Sequence, residues 1–535
     1  MTPSPSRPSA LLLLLLLLLL LLALGHVLPL AAAEPARKPA AATPTSGLPS
    51  VVTVGVNIEG LADWNRARMF SDVMKTARRW GRPDQPWVHE PPIPVDANGW
   101  PTADAGVVIF AGVPGIAGTY HLSFKGSAKV RAHQPAIKIL NLSEDDPPGT
   151  TQADIFVPET PENNFFLSFT GTDNGVRDIR LTRPGCEKAG TFTPEFLNLI
   201  KPFPVLRFME LMNVNNIHQT TWADRSKPTD AGYTGTQRST PLEVLIELAN
   251  LTKKSPWFCL PDQADDEYMR EAAKMVKEKL DPSLPAYVEY SNEVWNGMFA
   301  QAKYAGEKGR ELRLSDNAFQ AQMRFYSQRT VEVMKIWSEV FNDPKRLVRV
   351  MAVQAVSTFT SRAALDWQGA ASSVDALAIA PYFGYKYGKF ETANEISALT
   401  PDELLNRLSE EVDGENRKVI EEQAATAQRY GLALIAYEGG QHLTGIGEGA
   451  NHAKLNELFT AVNRHPRMEE IYRRHLKHWF DAGGSTYAIY SASSAYTKWG
   501  YWGLVENAGQ DPATAPKLRG VLSFIKERAG KPLAP

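Results

Sequence analysis

The chain has 535 residues, enough for a large core and for more than one domain. Its 57 basic and 59 acidic residues leave a formal net charge of −2, without the polycationic footprint that binds nucleic acid, so no nucleic-acid partner is expected. Aromatic residues make up 10 % of the chain, a content that suits stacking on sugar rings and equally suits core packing.

Residues 1–33 read as a signal peptide: Arg7 in a short n-region, leucines from Leu11 to Leu22, then Ala31, Ala32 and Ala33 as a small-residue cleavage site before Glu34. A secreted or periplasmic protein is expected, with no membrane association beyond export. A spanning anchor needs about 20 apolar residues; the run extended through Leu30 approaches that length, so an uncleaved anchor is the rival reading. Residues 34–50, rich in Ala, Pro and Thr, read as a linker. The two cysteines, Cys186 and Cys259, allow one disulfide in an oxidising compartment, but Cys259 sits in an apolar run, where a buried free thiol fits as well.

Residues 51–100 read as a first strand over Val51 to Asn57, followed by helical spacing of apolar residues from Met69 to Trp80. From 104 to 185 the pattern changes to six short alternating runs, each bounded by Gly, Pro, Asn or Asp, which predicts an antiparallel, jelly-roll-like β-sandwich inserted near the N-terminus. From 190 to 530 strands and helices alternate, the signature of a parallel α/β layer. Strands are predicted at Val205 to Leu211, Pro256 to Leu260, Ala286 to Tyr290, Arg346 to Ala355, Ala376 to Tyr382, Leu432 to Tyr437 and Thr486 to Tyr490. With the first strand these make eight. The long polar loop from Asn213 to Gly235, which contains Trp222, is expected to cover the mouth of the site.

Two of these strands carry the chemistry. Ala286 to Tyr290 ends on Ser291, Asn292 and Glu293, and Leu432 to Tyr437 runs into Glu438, Gly439 and Gly440, so two carboxylates stand at the C-terminal ends of apolar strands. This is where barrel enzymes keep their reactive groups, and two glutamates are the minimum set for glycosidic bond hydrolysis. An Asn-Glu pair ending the fourth strand and a lone Glu ending the seventh resemble clan A of the retaining glycoside hydrolases, whose fold is a (β/α)8 TIM barrel. Many members of that clan carry Pro after the pair, where this chain has Val294 and Trp295.

The resemblance implies a retaining double displacement on a β-linked polysaccharide or oligosaccharide, with no cofactor and no metal. By it, Glu293 is the acid/base, Glu438 the nucleophile, Asn292 the residue that meets the sugar 2-hydroxyl, Arg207 the cation beside the nucleophile, and Tyr382 a donor to it. The two carboxyls are expected roughly 5 Å apart. Trp499 and Trp502 compete for the aromatic floor under the sugar, and Gln263 and His442 stand at strand ends suited to substrate binding. Each has a structural alternative. Glu293 could cap a helix, Glu438 could belong to a turn, Arg207 could pair with Glu210 or Asp224, and the aromatic residues, Gln263 and His442 could be core or rim. Glu289 and Glu59 are further carboxylates near strand ends, and Glu289, four residues before Glu293, is expected on the same strand face.

Other chemistries lack their motifs. There is no G-x-S-x-G elbow, no H-E-x-x-H, no Cys/His ligand spacing and no Walker loop, and Gly445, Gly447 and Gly449 form only a weak glycine-rich loop. The rival function is a non-catalytic protein that binds cellulose or another cell-wall polysaccharide; a transglycosylase would share every residue named. Oligomeric state is not legible from the sequence.

Overall fold

β1 (Thr53–Asn57) is buried at all five positions and forms the first stave of a barrel in the computed structural model, which describes residues 46–144, 149–217, 219–235, 238–528 and 530–533. The signal peptide and most of the linker lie outside these residues. After β1 come seven strands that never enter the barrel: β2 (Ala105–Phe110), β3 (Gly118–Lys125), β4 (Lys129–Ala132), β5 (Lys138–Glu144), β6 (Thr150–Val157), β7 (Phe165–Thr170) and β8 (Arg177–Thr182). They pair antiparallel in two sheets, ordered β2-β7-β4 and β5-β6-β3-β8. Alternation drives the packing: Tyr120, Leu122 and Phe124 of β3 meet Phe165, Leu167 and Phe169 of β7 in one shared core, separate from that of the barrel.

The barrel resumes with β9 (Val205–Arg207), β10 (Ser255–Leu260), β11 (Ala286–Tyr290), β12 (Leu347–Ala352), β13 (Ala376–Ile379), β14 (Ala433–Ala436) and β15 (Gly484–Ile489). All pairings among them are parallel, and β1 joins both β9 and β15, closing eight strands into a (β/α)8 barrel with the antiparallel sandwich inserted between its first two strands. Near-continuous Val, Leu, Ile and Ala fill these strands because both of their faces are buried, the outer one by helices such as Asp266–Lys279 and Ala318–Phe341. Among the described residues no helix is long and apolar enough to cross a membrane.

One expectation changes. The helix predicted over 69–80 does not form: only a 3-10 turn, Val73–Thr76, appears. Val73, Met74 and Ala77 sit in the sandwich core, and the Asp72 carboxylate accepts from Leu181 N–H at 3.0 Å, so the insertion recruits this segment away from the barrel. The helix Pro194–Ile200, capped by Thr193 and packed through Phe196 and Ile200, leads into β9 instead. The helical run formed by Pro401–Glu411 and Arg417–Arg429 is interrupted by a π-turn, Val412–Asn416, which turns Asn416 inward to donate to Pro381 O and Tyr382 O. Both cysteines are buried free thiols.

Candidate active site

Register builds the site. Asn57 lies beside Arg207, Arg207 beside Trp257, and Cys259 beside Glu289 across successive parallel pairs, so their side chains converge at one level of the barrel interior. Arg207, at the end of β9 and fully buried, is the hub. Its Nη1 donates to Glu438 Oε1 at 2.8 Å and to Asn57 Oδ1 at 3.1 Å, and its Nη2 to Asn292 Oδ1 at 2.9 Å. Nε and Nη2 both reach Glu289 Oε2, at 3.1 and 3.0 Å. Every acceptor is fixed in turn: Glu289 also accepts from Trp257 Nε1 at 2.9 Å and Cys259 Sγ at 3.3 Å, and Asn57 Nδ2 is tied to Tyr437 O at 2.9 Å. A guanidinium so surrounded cannot swing, and a charge buried this way needs such satisfied partners.

Neither Glu210 nor Asp224 pairs with Arg207. Glu210 accepts from Tyr490 O–H at 3.0 Å, and Asp224 from Thr221 in a capping box. Glu289 does not share a strand face with Glu293 either. β11 stops at Tyr290, and Ser291 (φ 55°) and Glu293 (φ 42°) turn into the left-handed region, which leaves Glu289 deep in the barrel and carries Glu293 up to the mouth.

Glu438 follows β14, is 7 % exposed, and accepts from Tyr382 O–H at 2.9 Å on the oxygen that Arg207 leaves free. Glu293 accepts from Tyr437 O–H on Oε1 and from Asn296 Nδ2 on Oε2, both at 2.8 Å, and pairs with no cation among the described residues. Burial raises the pKa of both carboxyls; the Glu293 charge adds to the rise at Glu438, where Arg207 and the Tyr382 hydroxyl oppose it, and the Glu289 charge adds to the rise at Glu293. Burial also lifts the phenols of Tyr382, Tyr437 and Tyr490 well above their usual range, so all three remain donors.

Asn292 is oriented by the contacts of its own amide: Oδ1 faces Arg207, and Nδ2 donates to Asn215 Oδ1 at 3.0 Å, where Gln301 Nε2 also donates at 2.8 Å. Asn215 is where the long loop after β9 touches the site; Trp222 of that loop packs instead against Tyr268, centroids 5.3 Å apart. Of the two tryptophans, the structure brings in Trp502, whose ring lies 5.8 Å from Tyr382 and 4.6 Å from His442. Trp499 is 73 % exposed, under the ammonium of Lys498. His442 is wedged among Tyr382, Tyr385 and Trp502, and burial lowers its pKa to about 4, so the ring is neutral at ordinary pH. Gln263 is half-buried in the turn after β10, outside the Arg207 network.

Sequence reasoning passed over Tyr437, Asn57, Trp257, Tyr490 and Asn215. Tyr437 and Tyr490 each close a barrel strand next to polar residues, a signal like the one that drew attention to Tyr382. Trp257 and Asn215 carry no such mark, because only the register of β9, β10 and β11 and the path of a loop bring them in.

No family model matches the chain, and no curated protein matches it. Solved structures do. A 4-O-α-L-rhamnosyl-β-D-glucuronidase from Fusarium oxysporum aligns at 10 % identity over 62 % of this chain and 65 % of that one, with a TM-score of 0.41. A glucosidase from Croceicoccus marinus aligns at 10 % over 61 % and 63 %, TM-score 0.35, and a GH5-4 broad specificity endoglucanase from Clostridium acetobutylicum at 9 % over 63 % and 91 %, TM-score 0.34. The alignment spans under two thirds of the length of the first two. By name these solved structures are glycosidases.

Proposed function

We propose that the protein is an exported retaining β-glycoside hydrolase that cleaves a β-linked polysaccharide or oligosaccharide through Glu438 and Glu293. The observation that carries this reading is the unequal pairing of the two carboxyls. Glu438 is bonded to a guanidinium at 2.8 Å, whereas Glu293 has only neutral donors. Where two buried acids share one proton, the charge settles beside the cation, so Glu438 is the anion and Glu293 the acid. In the first step a Glu438 oxygen bonds to the anomeric carbon, the bond from that carbon to the leaving oxygen breaks, and the Glu293 proton passes to that oxygen. In the second, water gives its proton to Glu293 and attacks the same carbon, releasing Glu438 as carboxylate. Asn292 Nδ2 has a second hydrogen for the sugar 2-hydroxyl, a contact that strengthens as charge develops on the ring. Trp502 supplies the ring face. Export rests on the leader-like residues 1–33.

The test is reducing-sugar release from β-glucans, mannans, xylans and galactans by the wild type, Glu438→Ala and Glu293→Ala. Activity is expected to fall by about 10⁴-fold or more in Glu438→Ala. In Glu293→Ala it should survive only on aryl glycosides, whose leaving group needs no proton. No release from any polymer, with binding retained in both variants, would replace the enzyme with a carbohydrate-binding protein.

A further inference from the structure

A cavity of about 330 Å³ lies where the loop after β1 meets the turn after β8, and it shares no residue with the glutamate cluster. Arg68 and Arg183 both line it, with Tyr120, Cys186 and Glu195. Arg68 is satisfied on two of its nitrogens: Nη1 donates to Glu195 Oε2 at 3.0 Å and Nη2 to Pro114 O at 2.5 Å. Arg183 is different. It is 7 % exposed, and although its Nε, like that of Arg68, is buried without an acceptor, among the described residues no carboxylate pairs with it. Its guanidinium stacks over Phe110 in a cation–π contact, 4.8 Å from the ring centroid, and its hydrogen-bonded anchor is the main chain, by Arg183 N–H to Ser71 O at 2.9 Å.

The charge count is unbalanced. Two guanidiniums face one carboxylate, that of Glu195, which is half-exposed and already engaged by Arg68. Burial and the like charge of Arg68 press on the Arg183 cation, and Tyr120, Glu195 and Cys186 are the titratable groups that oppose them. A buried cation without a partner is costly, and folds tolerate it where a ligand supplies the missing charge. The approach is built as well: Gly115, at φ +70°, leaves room for Arg68, since a Cβ there would lie 2.1 Å from its Nη2.

We propose that Arg183 and Arg68 form a binding site for an oxyanionic group, a carboxylate or a sulfate, at the seam between sandwich and barrel. The planar fork of arginine matches the two oxygens of such a group. One negative charge balances the count. The cavity has space well beyond the roughly 30 Å³ that one water occupies in the liquid, so the anion has room to arrive on a larger body such as the ring of an acidic sugar. The inference does not rest on the glycosidase reading, because none of its residues belongs to that site.

The experiment is thermal unfolding and calorimetric titration of the full chain with sodium glucuronate, sodium sulfate, sodium chloride at matched ionic strength, and glucose. Glucuronate or sulfate should raise the melting temperature saturably, chloride and glucose should not, and the shift should vanish in Arg183→Met and Arg183→Gln. In anion-free buffer both variants should be at least as stable as the wild type, since they remove an unpaired charge. Glucuronate binding tenfold tighter than sulfate would assign an acidic sugar, and the reverse order a free inorganic anion; either upholds the site. No saturable shift with either anion, a shift that persists in the variants, or variants that unfold in anion-free buffer would overturn it. A crystal soaked in selenate gives a measurement free of any substitution: the anion should lie within hydrogen-bond reach of the Arg183 guanidinium.

Discussion

Arg207 at the barrel mouth and Arg183 at the seam are both nearly sealed from water, at 0 % and 7 % exposure, yet among the described residues one holds two carboxylates and the other none. The difference separates two uses of a buried cation. Around Arg207 the fold supplies the counter-charge itself: Glu289 and Glu438 both bond to the guanidinium. Around Arg183 the counter-charge is missing from the fold, which suits a site that waits for it.

The strongest way to break this comparison is to delete both cations in the same manner. Arg207→Met strands Glu289 and Glu438 in the interior and is expected to cost about 3–5 kcal/mol in urea unfolding at pH 7. Arg183→Met in anion-free buffer should cost nothing, and equal losses at the two positions would erase the distinction. Glu289→Gln comes next. It leaves Arg207 to serve Glu438 alone, so the acid limb of the activity profile should move down by about one pH unit, with a stability loss of about 1–3 kcal/mol. An unmoved limb would reduce Glu289 to a packing residue.

A smaller effect appears in the pH dependence of stability. Glu59 has its pKa raised from 4.5 to about 8, chiefly by burial and next by the charge of Glu210, so between those values the folded chain holds a proton that the unfolded chain has released. Stability contributed by this group is therefore full below about pH 4.5 and lost as pH rises toward 8, at up to about 1.4 kcal/mol per pH unit. Glu59→Gln should flatten that slope while leaving the Arg207 network intact. The smallest effect is expected at the rim: Trp499→Ala should leave KM within about twofold, whereas Trp502→Ala, on the residue that touches Tyr382, should raise it about tenfold, in line with one lost ring contact.

What could be read in advance followed from local pattern. The alternating runs that end in Asn292-Glu293 and in Glu438, and the eight barrel strands, are visible because a strand buried on both faces leaves a continuous apolar trace with polar residues only at its mouth. β4 escaped notice because Lys129–Ala132 has four residues and one strong strand former. The helix expected over 69–80 failed because Val73, Met74 and Ala77 keep a helical spacing that a single turn against the sandwich satisfies as well. The partners of Arg207 other than Glu438 were out of reach for a different reason. Whether it meets Glu289 or Glu210 depends on strand register and on the left-handed residues at 291 and 293, neither of which leaves a mark on composition.

The closure of the barrel sets the order in which this chain can be built. β1 pairs with β15 as well as with β9, so Thr53 waits for Thr486. The sandwich has all seven of its strands once Thr182 has been synthesised, and is expected to fold first while β1 stands with unpaired edges. A polypeptide truncated before residue 484 would keep a finished sandwich but leave β1 and β14 open on one side. Such a product would be prone to edge-to-edge association rather than simply inactive.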